Sequence, residues 1–586
     1  MLHRDTTQSM QASWLRQLVA APPLPQIGEA MTIPTEAPGP TGHAPWQELL
    51  RGGHLPRFIV LCLGVWLHAA DALMVATLMP SAVIEVGGAP WMGWTLALYE
   101  IGSVVAGAAT GLLAVRIGLR LAMCGSASLF ALGCLASAAA PDMAVILIGR
   151  LGQGLGGGAL VAIVFVATDR LFPDRLLPVV MALISAIWGA SAFCGPLIGG
   201  VFANAGLWRM GFVAFAVQAV VLVLLALLLL RSDRPEKAHA RSDASSAVPW
   251  SRLLLLLLAI VAIATAGTLA SGVASVSLIV LGILMLVGFF RLDRGAGVRL
   301  FPRNTLSIGS PVGGGILFVL FFATGTISFT LYGPLLAQMR FGVSPLVGGY
   351  LVASESVAWT IAALAVAGLS QRHEMLVIRG GAALMTIGVL GLAVALPQGS
   401  IWSLLPFTFC LGAGFGGAWA FVLRRIVASA LDGDRERASA AVPTTQMIGY
   451  GLGAALAGLF ANLAGYADGI DAADTGAVGF WVFAGFAPVL ALGWLTLRGL
   501  SRSAESTSAA AERRSVRLSA ATCIERLQSA SALPSFRLRR GPLCGTRHED
   551  GGAIAQLGER LNGIQEVGGS IPPGSTTFPQ RIVKLS

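Results

Sequence analysis

The sequence predicts an all-α polytopic membrane protein with fourteen spans. Three observations carry that reading. Of 586 residues, 55% are hydrophobic and only 12% are charged, against about 25% charged in a soluble domain. Uncharged apolar runs of about 20 residues, the length that crosses a bilayer as a helix, recur along most of the chain. Arginines gather in every second loop between those runs, as orientation by positive charge requires.

Taken in order, residues 1–56 are rich in Pro, Thr and Ala and show no sustained period, so they read as a disordered tail. No charged–apolar–small-residue signal peptide opens the chain, and Met31 is an alternative start. Six spans are expected at 58–80, 91–115, 120–140, 143–167, 177–204 and 208–230, and a tight pair near 253–270 and 272–290. Six more follow near 312–334, 345–369, 375–396, 402–423, 440–465 and 476–497. The layout divides into a tail (1–56), a six-span bundle (57–231), loops with two extra spans (232–304), a second six-span bundle (305–499) and a further tail (500–586).

The loops test the count independently. Arg116 and Arg120 lie between spans 2 and 3, and Arg170 and Arg175 between spans 4 and 5. Arg231, Arg234, Lys237, Arg241 and Arg252 precede span 7, and Arg291, Arg294, Arg299 and Arg303 precede span 9. Arg372 follows span 10; Arg424, Arg425, Arg435 and Arg437 follow span 12. The intervening loops carry little basic charge beyond Arg209 and Arg340, and one holds Asp468, Asp471 and Asp474. Both termini are therefore expected in the cytoplasm, with the chain multi-pass in the inner (plasma) membrane. On such a protein the formal charge of +10 reads as orientation and not as nucleic-acid binding.

After Leu500 the chain turns polar and rich in Arg and Ser. Its end, Gly552 to Thr577, resembles an accidental translation of a transfer-RNA gene. Gly569-Ser-Ile-Pro572 can be encoded by a T-loop sequence and Ala555-Gln-Leu-Gly-Glu-Arg560 by a D-arm. Residues from about 505 onward are read as a read-through product, with a genuine disordered tail as the alternative.

Charged side chains inside the spans mark the candidate site, because an ionisable group in a bilayer is costly and by default functional. Span 1 carries Asp71 with His68 three residues earlier on the same face. An apolar surround disfavours a charged carboxyl, which suits it to take up and release protons. A purely packing role, hydrogen-bonded to a neighbouring helix, is the alternative. Span 2 carries Tyr99 and Glu100; Glu100 either shares a proton site with Asp71 or receives a cationic substrate. Arg150 lies in span 4 and stays charged when buried. Near an acid it holds the proton off, and moving away it lets the proton on. Glu355 in span 10 is a candidate for substrate contact or for a packing role, and Trp94, Trp188 and Trp359 are candidate cavity linings.

Span 5 organises the rest. Its stretch Gly195-Pro196-Leu-Ile-Gly199-Gly200 reads as a bent helix with a smooth small-residue face that lets another helix approach closely. The stretch resembles the span-5 antiporter signature of the major facilitator superfamily, with Ser191 where a further glycine is usual. Gly111-x-x-x-x-Arg116-x-Gly118-x-Arg120 resembles the cytoplasmic loop signature of that superfamily. Val115 stands where it has an Asp that helps hold the cytoplasmic gate, so the usual gate chemistry is in doubt here. Arg150-x-x-Gln153-Gly154 resembles its span-4 signature. Asp71 with the apolar run to Pro80, Trp208-Arg209-x-x-Phe212, Tyr332-Gly-Pro and the six-two-six layout resemble the fourteen-span drug:proton antiporter family. Gln446 and Gly449-Tyr-Gly-Leu-Gly453 suggest a further close helix contact.

The resemblance implies two six-helix bundles that rock about a midplane site. It implies export of lipophilic or cationic small molecules in exchange for protons, by a monomer with no cofactor beyond the proton gradient. Asp71, Glu100 and Arg150 would couple protons, and Glu100, Glu355, Tyr99 and Trp188 would meet substrate. No Walker motif argues for ATP, no metallopeptidase or nucleophile-elbow motif argues for an intramembrane enzyme, and the seven cysteines show no metal spacing. A specific metabolite exporter, a proton symporter, or a scaffold that has lost transport remain the alternatives.

Overall fold

A computed structural model describes residues 48–49, 54–173, 176–230, 249–269, 272–297, 299–431, 434–466 and 474–502. The expected tails and the loop at 231–248 lie almost wholly outside these residues. Helices occupy all fourteen expected stretches. They are α1 (Leu55–Val86), α2 (Met92–Ile117), α3 (Leu119–Ala138), α4 (Met143–Leu171), α5 (Leu177–Asn204), α6 (Trp208–Leu229), α7 (Trp250–Ala266), α8 (Gly272–Gly295), α9 (Pro311–Phe341), α10 (Pro345–Val366), α11 (Glu374–Gln398), α12 (Ile401–Ala428) and α13 (Arg435–Leu463). The fourteenth stretch is divided into α14 (Asp474–Ala484) and α15 (Ala487–Leu500). Twelve helical stretches among the described residues are long and apolar enough to cross a membrane. The seventeen-residue α7 is shorter, and α2 is not among the twelve.

Local chemistry sets the boundaries. Asp142 caps α4 by accepting from the Val145 N–H at 3.0 Å, and Ser310 caps α9 by accepting from Gly313 at 3.0 Å. Gly87 and Gly88 adopt φ of +73° and +81°, which returns the chain from α1 into α2 within a few residues. The helices at α1 and α9 run past Pro80 and Pro334, where the expected spans ended. In a bilayer a proline bends a helix without ending it, because no water competes for the backbone.

α1–α6 form one bundle, in which α4 packs on α2 and α3, and α1 on α5. α9–α15 form the other, with α9 at its centre packed on α10, α12, α13 and α15. Exposed Val217, Val220, Leu224 and Leu228 on α6, and Val276, Val280 and Ile283 on α8, form surfaces suited to lipid. The bundles meet along two seams, α5 on α10 and α2 on α13.

The extra pair α7–α8 sits at the second seam, against α13 and α2. Asn462 of α13 explains its position. Its Nδ2 donates to Pro90 O before α2 and to Gly267 O after α7, both at 2.9 Å. One amide thus ties the first bundle, the inserted pair and the second bundle. At the other end of the pair, Asp293 accepts from the N–H groups of Leu300 and Phe301 and pairs with Arg252, while Arg299 reaches Asp434 just before α13. Asn462→Leu leaves two carbonyls without their donor, each worth about 1–3 kcal/mol. A lower unfolding temperature of the purified protein in detergent is the expected result, and Asn462→Gln should recover part of it.

Candidate functional site

Asp71 of α1 and Arg150 of α4 form an ion pair in which both side chains are 0% exposed. Arg150 Nη1 lies 2.6 Å from Asp71 Oδ2 and also donates to Gln153 Oε1. Arg150 Nε donates to Thr95 O at 3.2 Å, and the guanidinium lies 4.1 Å over the Tyr99 ring. Asp71 Oδ1, Arg150 Nη2 and Gln153 Nε2 have no hydrogen-bond partner among the described residues. The pair is thus single-pronged, leaving one carboxylate oxygen open to a proton. Removing either charge leaves the other buried alone, at a cost of about 3–5 kcal/mol.

The helix packing that delivers Arg150 to Asp71 follows from glycine. A Cβ on Gly154 would strike the Tyr99 backbone of α2, at 2.8 Å from its Cα. On Gly156 it would come within 2.5 Å of Phe130 N in α3. The span-4 signature therefore does two things: Arg150 and Gln153 meet the acid, and the glycines bring the helix close enough to do so.

Glu100 lies one residue beyond Tyr99 and turns to the second seam. A Cβ on Gly451 of α13 would rest 3.5 Å from the Glu100 Cβ. No hydrogen bond joins Glu100 to Asp71 among the described residues. Glu355 of α10 is also apart from the ion pair; its Oε2 accepts from Thr330 Oγ1 of α9 at 3.4 Å. Tyr450 of α13 lies within electrostatic reach of both Glu100 and Glu355, and its hydroxyl accepts from Gln446 Nε2 at 2.8 Å. One turn from Glu355, Trp359 stacks on Phe415 (4.9 Å, 18°), which stacks on Trp419 (5.7 Å, 29°). Trp188 meets His68 edge-on at 5.7 Å, and Trp94 packs against Trp91.

Glu100 thus lies on the first bundle's side of the second seam, and Glu355 lies in the second bundle one turn from an aromatic stack that joins α10 to α12. Thr330 and the Phe415–Trp419 face were not singled out from sequence. Gln446 and Tyr450 stand four apart on one helix face, a spacing that reveals the pair, but only packing shows which acids they approach.

At the first seam Pro196 has a specific consequence. Proline has no N–H, so Ala192 O, four residues earlier, loses its helical donor. Ser356 Oγ of α10 donates to that carbonyl across the seam at 2.7 Å. Thr77 Oγ1 of α1 takes Pro196 O at 3.0 Å. The glycines clear the approach: a Cβ on Gly195 would come within 2.7 Å of Ala70 O, on Gly200 within 2.9 Å of Leu346 Cα, and on Gly349 of α10 within 2.7 Å of Pro196 O. Gly199 likewise faces Thr77 and Met74 of α1.

In the loop after α2, Gly118 adopts φ of +87° between α2 and α3, and Arg120 is partly buried at the start of α3. The side chains at Gly111, Val115 and Arg116 lie outside the described residues. In the second bundle the matching loop is held by Glu374, 3.5 Å from Arg424 and 3.7 Å from Arg425. Trp208 Nε1 donates to Glu85 at 2.6 Å, and Arg209 pairs with Glu85 and donates to Ala140 O at 2.9 Å. That motif therefore pins α6 to the end of α1.

Two helical bundles meeting on glycine seams, with charges buried between spans, define a membrane transporter. The chain belongs to the Major Facilitator Superfamily, whose family profile matches residues 61–339. Two proteins of Mycobacterium tuberculosis strains, each described as a probable multidrug-efflux transporter, are 30% identical over 448 residues, covering 73% of this chain and 92% of each relative. Among solved structures, a D-xylose-proton symporter matches with a TM-score of 0.52 at 15% identity, over 74% of this chain and 97% of its own. A POT family transporter in complex with 5-aminolevulinic acid matches with a TM-score of 0.56 at 13% identity, over 77% of this chain and 97% of its own. These two likenesses speak to the fold alone.

The Ser356–Ala192 contact gives a direct test of the first seam. Ser356→Ala leaves the carbonyl unpaired, and Pro196→Ala supplies an N–H that competes for it. Each should shift the seam toward its open form by about 1–3 kcal/mol. In a cysteine-free background, a cysteine at Leu346 should then react faster with a membrane-impermeant thiol reagent than it does with Ser356 and Pro196 in place.

Proposed function

We propose that the protein is a secondary active transporter of the plasma membrane that exports lipophilic or cationic small molecules in exchange for protons. The observation that carries this reading is the fully buried Asp71–Arg150 pair with one carboxylate oxygen free. An arginine guanidinium keeps its charge in proteins. Protonation of Asp71 removes its ionic partner and lets Arg150 shift; departure of the proton draws the two together again. The state of one proton is thereby tied to the packing of α1, α2 and α4.

Substrate is assigned to the space between the bundles. On this reading Glu100 and Glu355 would supply the acidic groups that meet it, and the Trp359–Phe415–Trp419 stack beside Glu355 the aromatic surface. Acids beside aromatic rings suit an apolar cation, since a ring face attracts positive charge. The relatives described as probable multidrug-efflux transporters support the same reading. With both termini in the cytoplasm, both seams lie in the outer half of the membrane. That placement fits an inward-facing form, which in the proposed cycle would take substrate from inside.

The test uses everted vesicles with an imposed pH gradient and a panel of cationic and neutral lipophilic compounds, read by proton release. The natural protein should respond to several compounds, and Asp71→Asn should abolish the response. A response that survives that change moves the proton site to Glu100 or Glu355. No response to any compound favours a transporter of one specific metabolite or a scaffold. Glu355→Gln should weaken transport of cations more than of neutral compounds, which flux measurements with each class will show.

A further inference from the structure

His68 is 2% exposed, one turn before Asp71 on α1. Its ring is stacked on Tyr99 at 5.4 Å and 14°. Tyr99 Oη lies 2.7 Å from the His68 carbonyl oxygen and 3.0 Å from His68 Nδ1. The phenol has one proton, and a carbonyl can only accept. Tyr99 therefore donates to His68 O, and its oxygen accepts from Nδ1–H. This counting assigns the Nδ1–H tautomer and leaves Nε2 as the basic nitrogen.

The same Tyr99 ring carries the Arg150 guanidinium at 4.1 Å. Tyr99 thus touches the ion pair with its face and grips both the backbone and the side chain of His68 with its hydroxyl. On the α4 side there is no slack: a Cβ on Gly157 would lie 2.8 Å from His68 Nδ1 and 3.3 Å from the Tyr99 oxygen. From α5, the edge-on contact comes from Trp188. Among the described residues, the ionisable groups that act on His68 or on its partner Tyr99 are Tyr99 and Glu100 of α2, Cys134 of α3, Arg150 of α4 and, on its own helix, Asp71; the ring contact from α5 is the uncharged Trp188.

We propose that His68, held as the Nδ1–H tautomer by Tyr99, is a positioning residue that transmits the state of the Asp71–Arg150 pair to α5 through Trp188. The proposal rests on the proton coupling put forward above. Asp71 and Arg150 are sealed inside the first bundle, whereas α5 forms the first seam. When Arg150 shifts on protonation of Asp71, the Tyr99 ring loses its cation. The hydroxyl passes that displacement to the imidazole, and with α4 closed against it the imidazole moves toward Trp188.

Three variants separate this role from packing. His68→Asn keeps an N–H near the Nδ1 position; His68→Gln places its amide near Nε2; His68→Phe keeps the stacked ring and removes the donor. Each is assayed in vesicles with ethidium, a fluorescent lipophilic cation, first as gradient-driven flux across a range of pH and then as counterflow exchange without a gradient. The expected result is a loss of about fivefold in gradient-driven flux for Phe and Gln, the size of one buried hydrogen bond. Their pH profile should flatten, counterflow should persist, and Asn should remain near the natural protein in both modes. Tyr99→Phe, which keeps the ring under Arg150, should reproduce the flattened profile. A natural pH profile in His68→Phe overturns the proposal alone, as does equal loss of both modes or an Asn variant as impaired as Phe. Counterflow by the natural protein without any gradient-driven flux overturns the coupling reading, and this proposal with it.

Discussion

Inside a bilayer a polar group has to find its partner in the protein, because neither lipid nor water supplies one. Much of the described arrangement follows from that constraint. Arg150 on α4 is satisfied by Asp71 on α1, by Thr95 O on α2 and by Gln153 one turn away. Three helices are thereby fixed to one another through a single guanidinium. The pair is also incomplete, with Asp71 Oδ1 and Arg150 Nη2 left over. A fully satisfied pair would be a rivet. An incomplete one leaves free the carboxylate oxygen on which the proposed proton coupling rests.

The same constraint shapes the seams. A proline in α5 frees the carbonyl of Ala192, and a serine from the other bundle takes it. An asparagine near the end of α13 holds two loop carbonyls from separate parts of the chain. Such contacts involve few atoms, and the glycine faces around them are smooth. The seams are therefore closed by a handful of hydrogen bonds over surfaces that can part without side chains disengaging. Such seams suit the exchange cycle proposed above, in which a closed seam would have to open again. The fully buried ion pair is made by α1 and α4, neither of which forms the seam between α5 and α10, and the proposed relay from Arg150 through Tyr99 and His68 would join it to α5.

Much of the architecture was legible in the sequence because membrane spans are a local property. Length and apolarity decide them, and loop charge orders them. Pro80 and Pro334 show where that reading falls short: the chain continues as helix beyond each, since tertiary contacts and the absence of water preserve the helix. The last span is divided between α14 and α15 at residues 485–486, which apolar length alone did not show. For the site, Asp71, Arg150 and Gln153 stood out because charge and amide are expensive in a span. Thr330, Asn462 and Ser356 did not, since a small polar residue in a helix is common and cheap until its partner is known.

What the sequence by itself determined was the set of helices, their lipid-compatible surfaces and the few costly side chains within them. These depend on residues close together in the chain. Only the tertiary structure decided that Arg150 meets Asp71, and that Tyr450 lies within electrostatic reach of Glu100 across the second seam and of Glu355 in its own bundle. It alone decided that Ser356 answers the carbonyl freed by Pro196. Each of those choices joins residues between 79 and 350 positions apart. A hydrogen bond selects its partner by a few tenths of an ångström in space, and helix spacing along the chain carries no record of that distance.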